Sequence, residues 1–350
     1  MPGVSRWHLV TGDCPPTFTG GVATWVEAVA LGLAARGEEV VLYARGGHRH
    51  TRPAEERWDV LQPFPVRRLF GFHWNQRQAH ITGRMVRRQL APGDRVLATT
   101  WTVAHGLVDP CRRLGVPLVV AAHGSEITRA LHEHRRILQE IASWGRFGAV
   151  SRFLAELLAG IGVEAAVLPA PVDPRPVGAE VREGLLMVAR HTELKGADRA
   201  LRLGEALGWP VTVIGEGYPT PPLHRLVASL RVPVSFPGRR AAGEVHAAMR
   251  RARLLVQLSR AAPDGTGAEG LGLVVLEAMA CGTPAAVSPV GGLPEAVGPG
   301  LVLPDPDDAE SSSSRILAWL AAQDRGAEQR AWLAERHGIA RCVDALDRLT

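Results

Sequence analysis

Lysine occurs once among the 40 lysine and arginine residues of this 350-residue chain, at position 195. It stands in Val188-Ala-Arg-His-Thr-Glu-Leu-Lys195-Gly196, where the apolar run Leu185-Leu-Met-Val-Ala189 gives way to a small-residue turn. An ammonium is a compact charge that meets phosphate oxygens from any angle, whereas a guanidinium is a flat fork. Arg190 at the end of the run and Lys195 just beyond it can together neutralise a diphosphate. An ordinary surface lysine in a turn is the competing reading.

A second set of reactive types lies in Glu269-Gly-Leu-Gly-Leu-Val-Val-Leu-Glu277. A glycine-containing loop enters a helix, and Glu277 falls four residues after Leu273, on the same apolar face. A carboxylate there is expensive unless it is hydrogen-bonded, and vicinal hydroxyls such as those of a ribose satisfy both oxygens. Glu269 precedes the helix. The amides of Gly270, Leu271, Gly272 and Leu273, with the helix dipole, favour an anion. Two exposed glutamates at a helix start would be the plain alternative. Thr19-Gly20-Gly21 offers a second such start after the first apolar run, with Gly21 opening the helix. His123, followed by Gly124 and Ser125, closes the run Leu118-Val-Val-Ala-Ala122, and ligands of parallel sheets bind at strand carboxyl ends. A glycine set of the GxGxxG kind is absent after these runs, so a dinucleotide cofactor is not expected.

The elements that position these residues alternate. Short apolar runs begin at His8, Val40, Val96, Leu118, Gly148, Leu185, Val211, Leu254, Pro284 and Leu301, with helix-like stretches between them. Continuously apolar strands separated by helices predict parallel sheets covered on both faces, here two doubly wound α/β domains. Val22, Trp25, Val26, Val29 and Leu33 form one helical stripe that Gly37 ends. Leu168-Pro-Ala-Pro-Val-Asp-Pro-Arg-Pro176 cannot continue a helix or a sheet interior. The expected division is therefore residues 1–170 and 171–350, with the last helix able to cross back to the first domain. The run Ser311–Ser314 reads as a helix N-cap region.

Composition narrows the partners. A net charge of +5 and a pI near 9.5 suit anionic ligands, but no cluster is concentrated enough for nucleic acid. The scattered Cys14, Cys111, Cys281 and Cys342 form no zinc or disulfide pattern, and no signal segment or membrane-length apolar run stands out, so a cytoplasmic location is expected. Asp305-Pro-Asp307-Asp308 has the form of a metal-binding motif without a ligand-rich partner segment, and reads as a solvated loop; no metal is expected. Arg67 to Arg95, with Arg68, Arg77, Arg84, Arg87 and Arg88 near Phe70, Phe72 and Trp74, reads as a solvated face, with acceptor binding or peripheral membrane contact as the alternative.

In this order and spacing, Gly20-Gly21, Arg190-x4-Lys195-Gly196 and Glu269-x7-Glu277 resemble the family-four retaining glycosyltransferases of the GT-B fold. Pro15-Pro16 before the glycine pair, Val150-Ser-Arg-Phe153 and Val287-Ser-Pro-Val-Gly-Gly-Leu-Pro-Glu295 extend the resemblance along nearly the whole chain. The stretches His48–Arg77 and Arg260–Ala268 depart from it. The resemblance implies two Rossmann-like domains facing a cleft, the second binding a nucleotide sugar and the first the acceptor. It implies that Arg190 and Lys195 hold the diphosphate, Glu277 the ribose, and Glu269 with the amides of Gly270 to Leu273 the transferred sugar. His123 would lie near the reacting centre, Gly21 near the phosphates and Gly238-Arg239 along the base. The implied activity is metal- and cofactor-independent transfer of a hexosyl group, first expected from a UDP sugar, to an acceptor hydroxyl. A soluble glycan or small-molecule acceptor is expected, with a lipid-linked one as alternative. Rival readings are a sugar-nucleotide epimerase of the same fold and a non-catalytic nucleotide-sugar-binding subunit.

Overall fold

The computed structural model describes residues 5–18, 20–47, 51–69, 76–177, 181–217 and 221–350, with backbone alone at 76–79 and 125. The chain divides into two compact units, Met1–Pro171 with Gly338–Thr350, and Val172–His337. The terminal segment thus belongs to the first unit. Its helix Ile339–Asp347 lies on the helix Gly21–Ala35, so close that a Cβ on Gly32 would come within 2.2 Å of Ile339 Cγ2. Arg36 anchors it through Asp344 and Asp347, and Arg95 through Asp347 at 3.1 Å.

The first unit holds seven strands: β1 (Arg6–Thr11), β2 (Glu39–Arg45), β3 (Val66–Leu69), β4 (Arg95–Ala98), β5 (Leu118–Ala122), β6 (Arg146–Ala149) and β7 (Ala165–Val167). Their order is β3-β2-β1-β4-β5-β6-β7, all pairs parallel. The second unit holds β8 (Glu183–Val188), β9 (Val211–Ile214), β10 (Val234–Gly238), β11 (Ala252–Gln257), β12 (Ala285–Val287) and β13 (Leu301–Val302). Here the order is β10-β9-β8-β11-β12-β13, again parallel throughout. In both sheets the chain first winds one way from its opening strand and then returns to wind the other way. A switch point therefore lies between β1 and β4 and between β8 and β11, and loops diverge from it.

The continuously apolar runs became the central strands because helices cover both faces. In the second unit Leu185, Met187, Val211, Val213, Leu254 and Val256 meet Ala200, Leu201 and Leu203 of the helix Ala197–Leu207 in one core. On the helix Gly21–Ala35 the expected stripe is buried at Trp25, Val26, Val29 and Leu33. Beyond it Gly37, at φ +82°, turns the chain while Glu38 N–H donates back to the Leu33 carbonyl at 3.1 Å. The serine run lies inside the helix Ala309–Ala322, not at its cap. Asp308 is the cap, accepting from Ser311 N–H at 3.0 Å.

Where the helices Gln76–Arg87 and Trp101–Leu114 cross, a Cβ on Gly83 would sit 1.8 Å from the Gly106 carbonyl oxygen. Gly83→Ala is expected to destabilise the first unit by about 1–3 kcal/mol, as overpacking does. Gly243→Ala, where a Cβ meets nothing within 4 Å, serves as the helical control. Urea denaturation checks the pair; equal effects would contradict the close crossing.

Candidate active site

Lys195 sits where β8 ends, on the short 3-10 turn Glu193–Lys195, and Ser259 follows β11, so both flank the switch point of the second unit. Gly196 lets the turn close on its neighbour: its φ is +72°, and a Cβ there would lie 2.1 Å from the Leu258 carbonyl oxygen. Arg260 N–H, donating to the Leu194 carbonyl at 2.7 Å, ties the two loops together.

Glu269 is the hub. Its Oε1 forms a short ion pair with Lys195 Nζ and accepts from Ser259 Oγ at 2.6 Å and from Gln257 Nε2 at 3.3 Å. Burial alone would raise this carboxyl, but the Lys195 charge and the three donors hold it below the ordinary glutamate value. Sequence reasoning gave Lys195 and Glu269 separate ligands; the structure joins them directly. The Glu269 backbone is equally confined. A Cβ on Gly291 would lie 2.1 Å from the Glu269 carbonyl oxygen, and one on Gly292 2.2 Å from that of Gly270. Gly292 N–H donates to the Glu269 carbonyl at 2.9 Å.

From this loop the helix Leu273–Ala280 starts at Gly272, whose φ of +93° no side chain favours. The first-turn amides of Leu273 and Val274 precede the helix's own acceptors, whereas Val275 N–H donates to the Gly272 carbonyl at 2.9 Å. Glu277 does not share the buried stripe assigned to it. Val275, Leu276 and Met279 fill the core, while Leu273 and Glu277 lie on a partly exposed face. Among the described residues His246 Nε2 lies 4.0 Å from Glu277 and pairs with it when the imidazole is protonated.

The neighbouring strand ends supply more charge. The Arg190 side chain is exposed and forms no ion pair among the described residues. Arg239, after β10, reaches Glu216, after β9, at 3.1 Å. His191 Nδ1 meets the Gly217 carbonyl at 3.0 Å, and its Nε2 is enclosed without a hydrogen-bond partner among the described residues. The acidic loop is structural in these contacts. Asp307 pairs with Arg199 and Arg260, Asp308 caps a helix, and Asp305 accepts from Asp307 N–H at 3.1 Å. A cavity of about 500 Å³ opens beside it, lined by Arg199, Arg260, Ser288 and Asp305 among others. No group of three metal-ligating side chains occurs among the described residues.

In the first unit Gly20, at φ +130°, and Gly21 open the helix that follows β1, and a Cβ on either meets nothing within 4 Å. His123 closes β5, its ring edge-on to Trp25 at 4.8 Å between centroids and its Nε2 enclosed without a hydrogen-bond partner among the described residues. Burial pushes its pKa down to about 3. Glu126 Oε1 accepts the His123 N–H at 2.8 Å, and burial, opposed by such amide bonds, pushes this carboxyl up to about 7. Sequence reasoning missed Glu126, Gln257 and Ser259. The available signals were an acidic residue in the first turn after a strand end, and polar residues bounding the apolar run at Leu254.

The arginine stretch is not one patch. Arg68 is nearly enclosed, bound to Asp59 at 2.7 Å, and Arg95 pairs with Glu38 at 2.7 Å. Arg67, Arg84, Arg87 and Arg88 are exposed. Phe70, Phe72 and Trp74 lie outside the described residues, as does the side chain of Arg77.

Because folded His123 is neutral down to about pH 3 while an unfolded histidine protonates near 6.5, the unfolded chain binds the extra proton between those values. The stability this group contributes is complete above pH 6.5 and falls as pH drops, by up to about 1.4 kcal/mol per unit. Glu126 works in the opposite sense, losing stability as pH rises from its unfolded value through about 7. In thermal denaturation from pH 7 to 4, the gap between wild type and His123→Asn should narrow as pH falls. A constant gap would show that His123 is not held neutral.

The sequence matches Glycosyltransferase Family 4 over residues 19–175 and Glycosyl transferases group 1 over residues 176–336. It is 28% identical to a glycogen synthase of Mycobacterium tuberculosis, over 99% of this chain and 90% of that protein. It is 29% identical to the GDP-mannose-dependent alpha-(1-6)-phosphatidylinositol monomannoside mannosyltransferase of Mycolicibacterium smegmatis, over 83% of this chain and 82% of that one. The fold superposes on Anabaena Alr3699/HepE, crystallised in complex with UDP and glucose, with a TM-score of 0.74 at 16% identity over 98% of each chain. Two adjoining family matches that together span most of the chain, on two parallel doubly wound sheets, place it among the family-four glycosyltransferases of the GT-B fold.

Proposed function

We propose that this glycosyltransferase moves a hexosyl group from a nucleoside diphosphate sugar to an acceptor hydroxyl with retention of anomeric configuration. The observation that carries this reading is the meeting of Lys195 and Glu269 at the switch point of the second unit, beside an uncapped helix start. A diphosphate there takes the Lys195 ammonium and the exposed Arg190 guanidinium, and the amides at Gly270 to Leu273 are assigned to the same negative charge. Glu277 is assigned the ribose hydroxyls, Arg239 the base edge and Glu269 the transferred sugar. Gly21 and His123 of the first unit are assigned to phosphate and to the reacting sugar on the resemblance alone.

In the reaction the bond from the anomeric carbon to the phosphate oxygen breaks, and its electron pair leaves with the phosphate. The acceptor oxygen bonds to the same carbon on the same face, and its proton passes to the departing phosphate. Charge grows on that phosphate as the bond stretches, so cations and amides already in place lower the barrier. No cofactor is invoked.

A UDP-linked donor is the first expectation, supported by the HepE complex with UDP-glucose. A GDP-linked donor is the second, since the mannosyltransferase relatives are GDP-mannose-dependent. The same relatives keep a lipid-linked acceptor as the alternative to a soluble glycan or small molecule. No helix among the described residues is long and apolar enough to cross a membrane. The four cysteines are buried and free, which suits a reducing cytoplasm.

With the accepted donor and acceptor, Lys195→Ala is expected to lower kcat by about 10²–10³-fold, as removal of one preorganised donor does. Steady-state kinetics on the folded variant, with NMR of the product's anomeric proton, checks both points. Near-wild-type turnover, or an inverted product, would overturn the assignment.

A further inference from the structure

The three donors to Glu269 differ in how firmly they are held. Lys195 carries its ammonium on a four-carbon stem from a short turn and is a quarter exposed. Gln257 ends β11 and Ser259 lies two residues on; each is 2% exposed. The Ser259 backbone is clamped, its carbonyl accepting from Ser288 Oγ at 2.7 Å and from Arg199 Nη1 at 3.1 Å. Gln257 Nε2 also donates to Ser259 Oγ at 2.9 Å, so the hydroxyl is oriented with its own proton toward Glu269. All three donors meet Oε1, and among the described residues none meets Oε2.

A diphosphate that recruits Lys195 removes the one mobile donor, and the only cation bonded to Glu269 among the described residues, from a carboxylate whose side chain is 14% exposed. We propose that Ser259 and Gln257 are positioning residues that keep Glu269 ionised and aimed, with Oε2 free for the ligand, when the donor substrate draws Lys195 away. The inference rests on the donor-site reading above. Hydrogen bonds to the charged form favour it, and a carboxylate left with neither cation nor donors in such surroundings takes a proton. Among the described residues no other cation is bonded to Glu269. Arg260, next along the β11 loop, is turned to Asp198 at 2.7 Å and to Asp307 at 3.1 Å. The loop packed on the Glu269 backbone presents Gly291 and Gly292.

The test is the number of protons taken up on donor binding. UDP-glucose and GDP-mannose, whose diphosphates do not titrate near pH 6, are each titrated calorimetrically in buffers of different ionisation enthalpy at pH 5–6.5. Wild type is expected to bind one of them with almost no proton uptake. Ser259→Ala should take up a fraction of a proton, rising toward about one as pH falls. Gln257→Met should show a smaller uptake, and gives a second reading if the alanine variant does not fold. Variants that bind with the wild-type proton count would overturn the proposal while leaving the donor site intact. Binding of neither sugar nucleotide to wild type would overturn the donor-site reading, and this inference with it.

Discussion

A carboxylate that is mostly enclosed must be either neutralised or protonated, and around Glu269 the fold is arranged to neutralise it. Lys195, Ser259 and Gln257 come from two different strand ends, and they converge on one oxygen only because β8 and β11 are neighbours in the sheet. Three glycines make the convergence possible. Gly196 admits the Leu258 carbonyl beneath the lysine turn, and Gly291 and Gly292 admit the backbone of Glu269 and Gly270. Any side chain at these positions would push the loop away from the strand ends. The ion pair, the loop position and the helix start at Gly272 are therefore one construction.

The two units share a winding order but differ in what their strand ends present. Around β8 to β11 stand the cations Arg190, Lys195 and Arg239, the last two paired with Glu269 and Glu216. At the carboxyl end of β5 stand a histidine held neutral and a carboxyl pushed toward neutrality, each with one enclosed atom that has no hydrogen-bond partner among the described residues. Neither group offers a positive charge to a phosphate. This asymmetry is the physical basis for assigning the diphosphate to the second unit. The folding frame alone would serve either.

The central strands were legible because burial on both faces demands uninterrupted apolar residues, as in Leu118–Ala122. The strands β3, β7 and β10 were not. Each lies at a sheet edge, where one flank is unpaired and arginine, exposed alanine or Pro237 is tolerated. Lys195 was legible because its type is unique in the chain, and Glu269 because of its place before a glycine-led helix. That the two would meet depends on strand order, which no local pattern states. Gln257 was read as part of an apolar run, and its polarity inside a buried strand was the overlooked sign. The reading of Glu277 as a core-facing carboxylate failed because helical spacing fixes relative positions on a helix, not which face meets the sheet.

The site depends on whether Lys195 exchanges Glu269 for a diphosphate. The most direct measurement compares wild type and Lys195→Ala for affinity toward UDP-glucose and GDP-mannose, with uridine and guanosine as probes lacking the phosphates. The expected result is that one sugar nucleotide binds wild type, loses about 10–100-fold in affinity in the variant, and leaves its nucleoside's weaker binding unchanged. Equal affinity of both proteins for the sugar nucleotide would contradict the exchange and leave Lys195 a structural partner of Glu269.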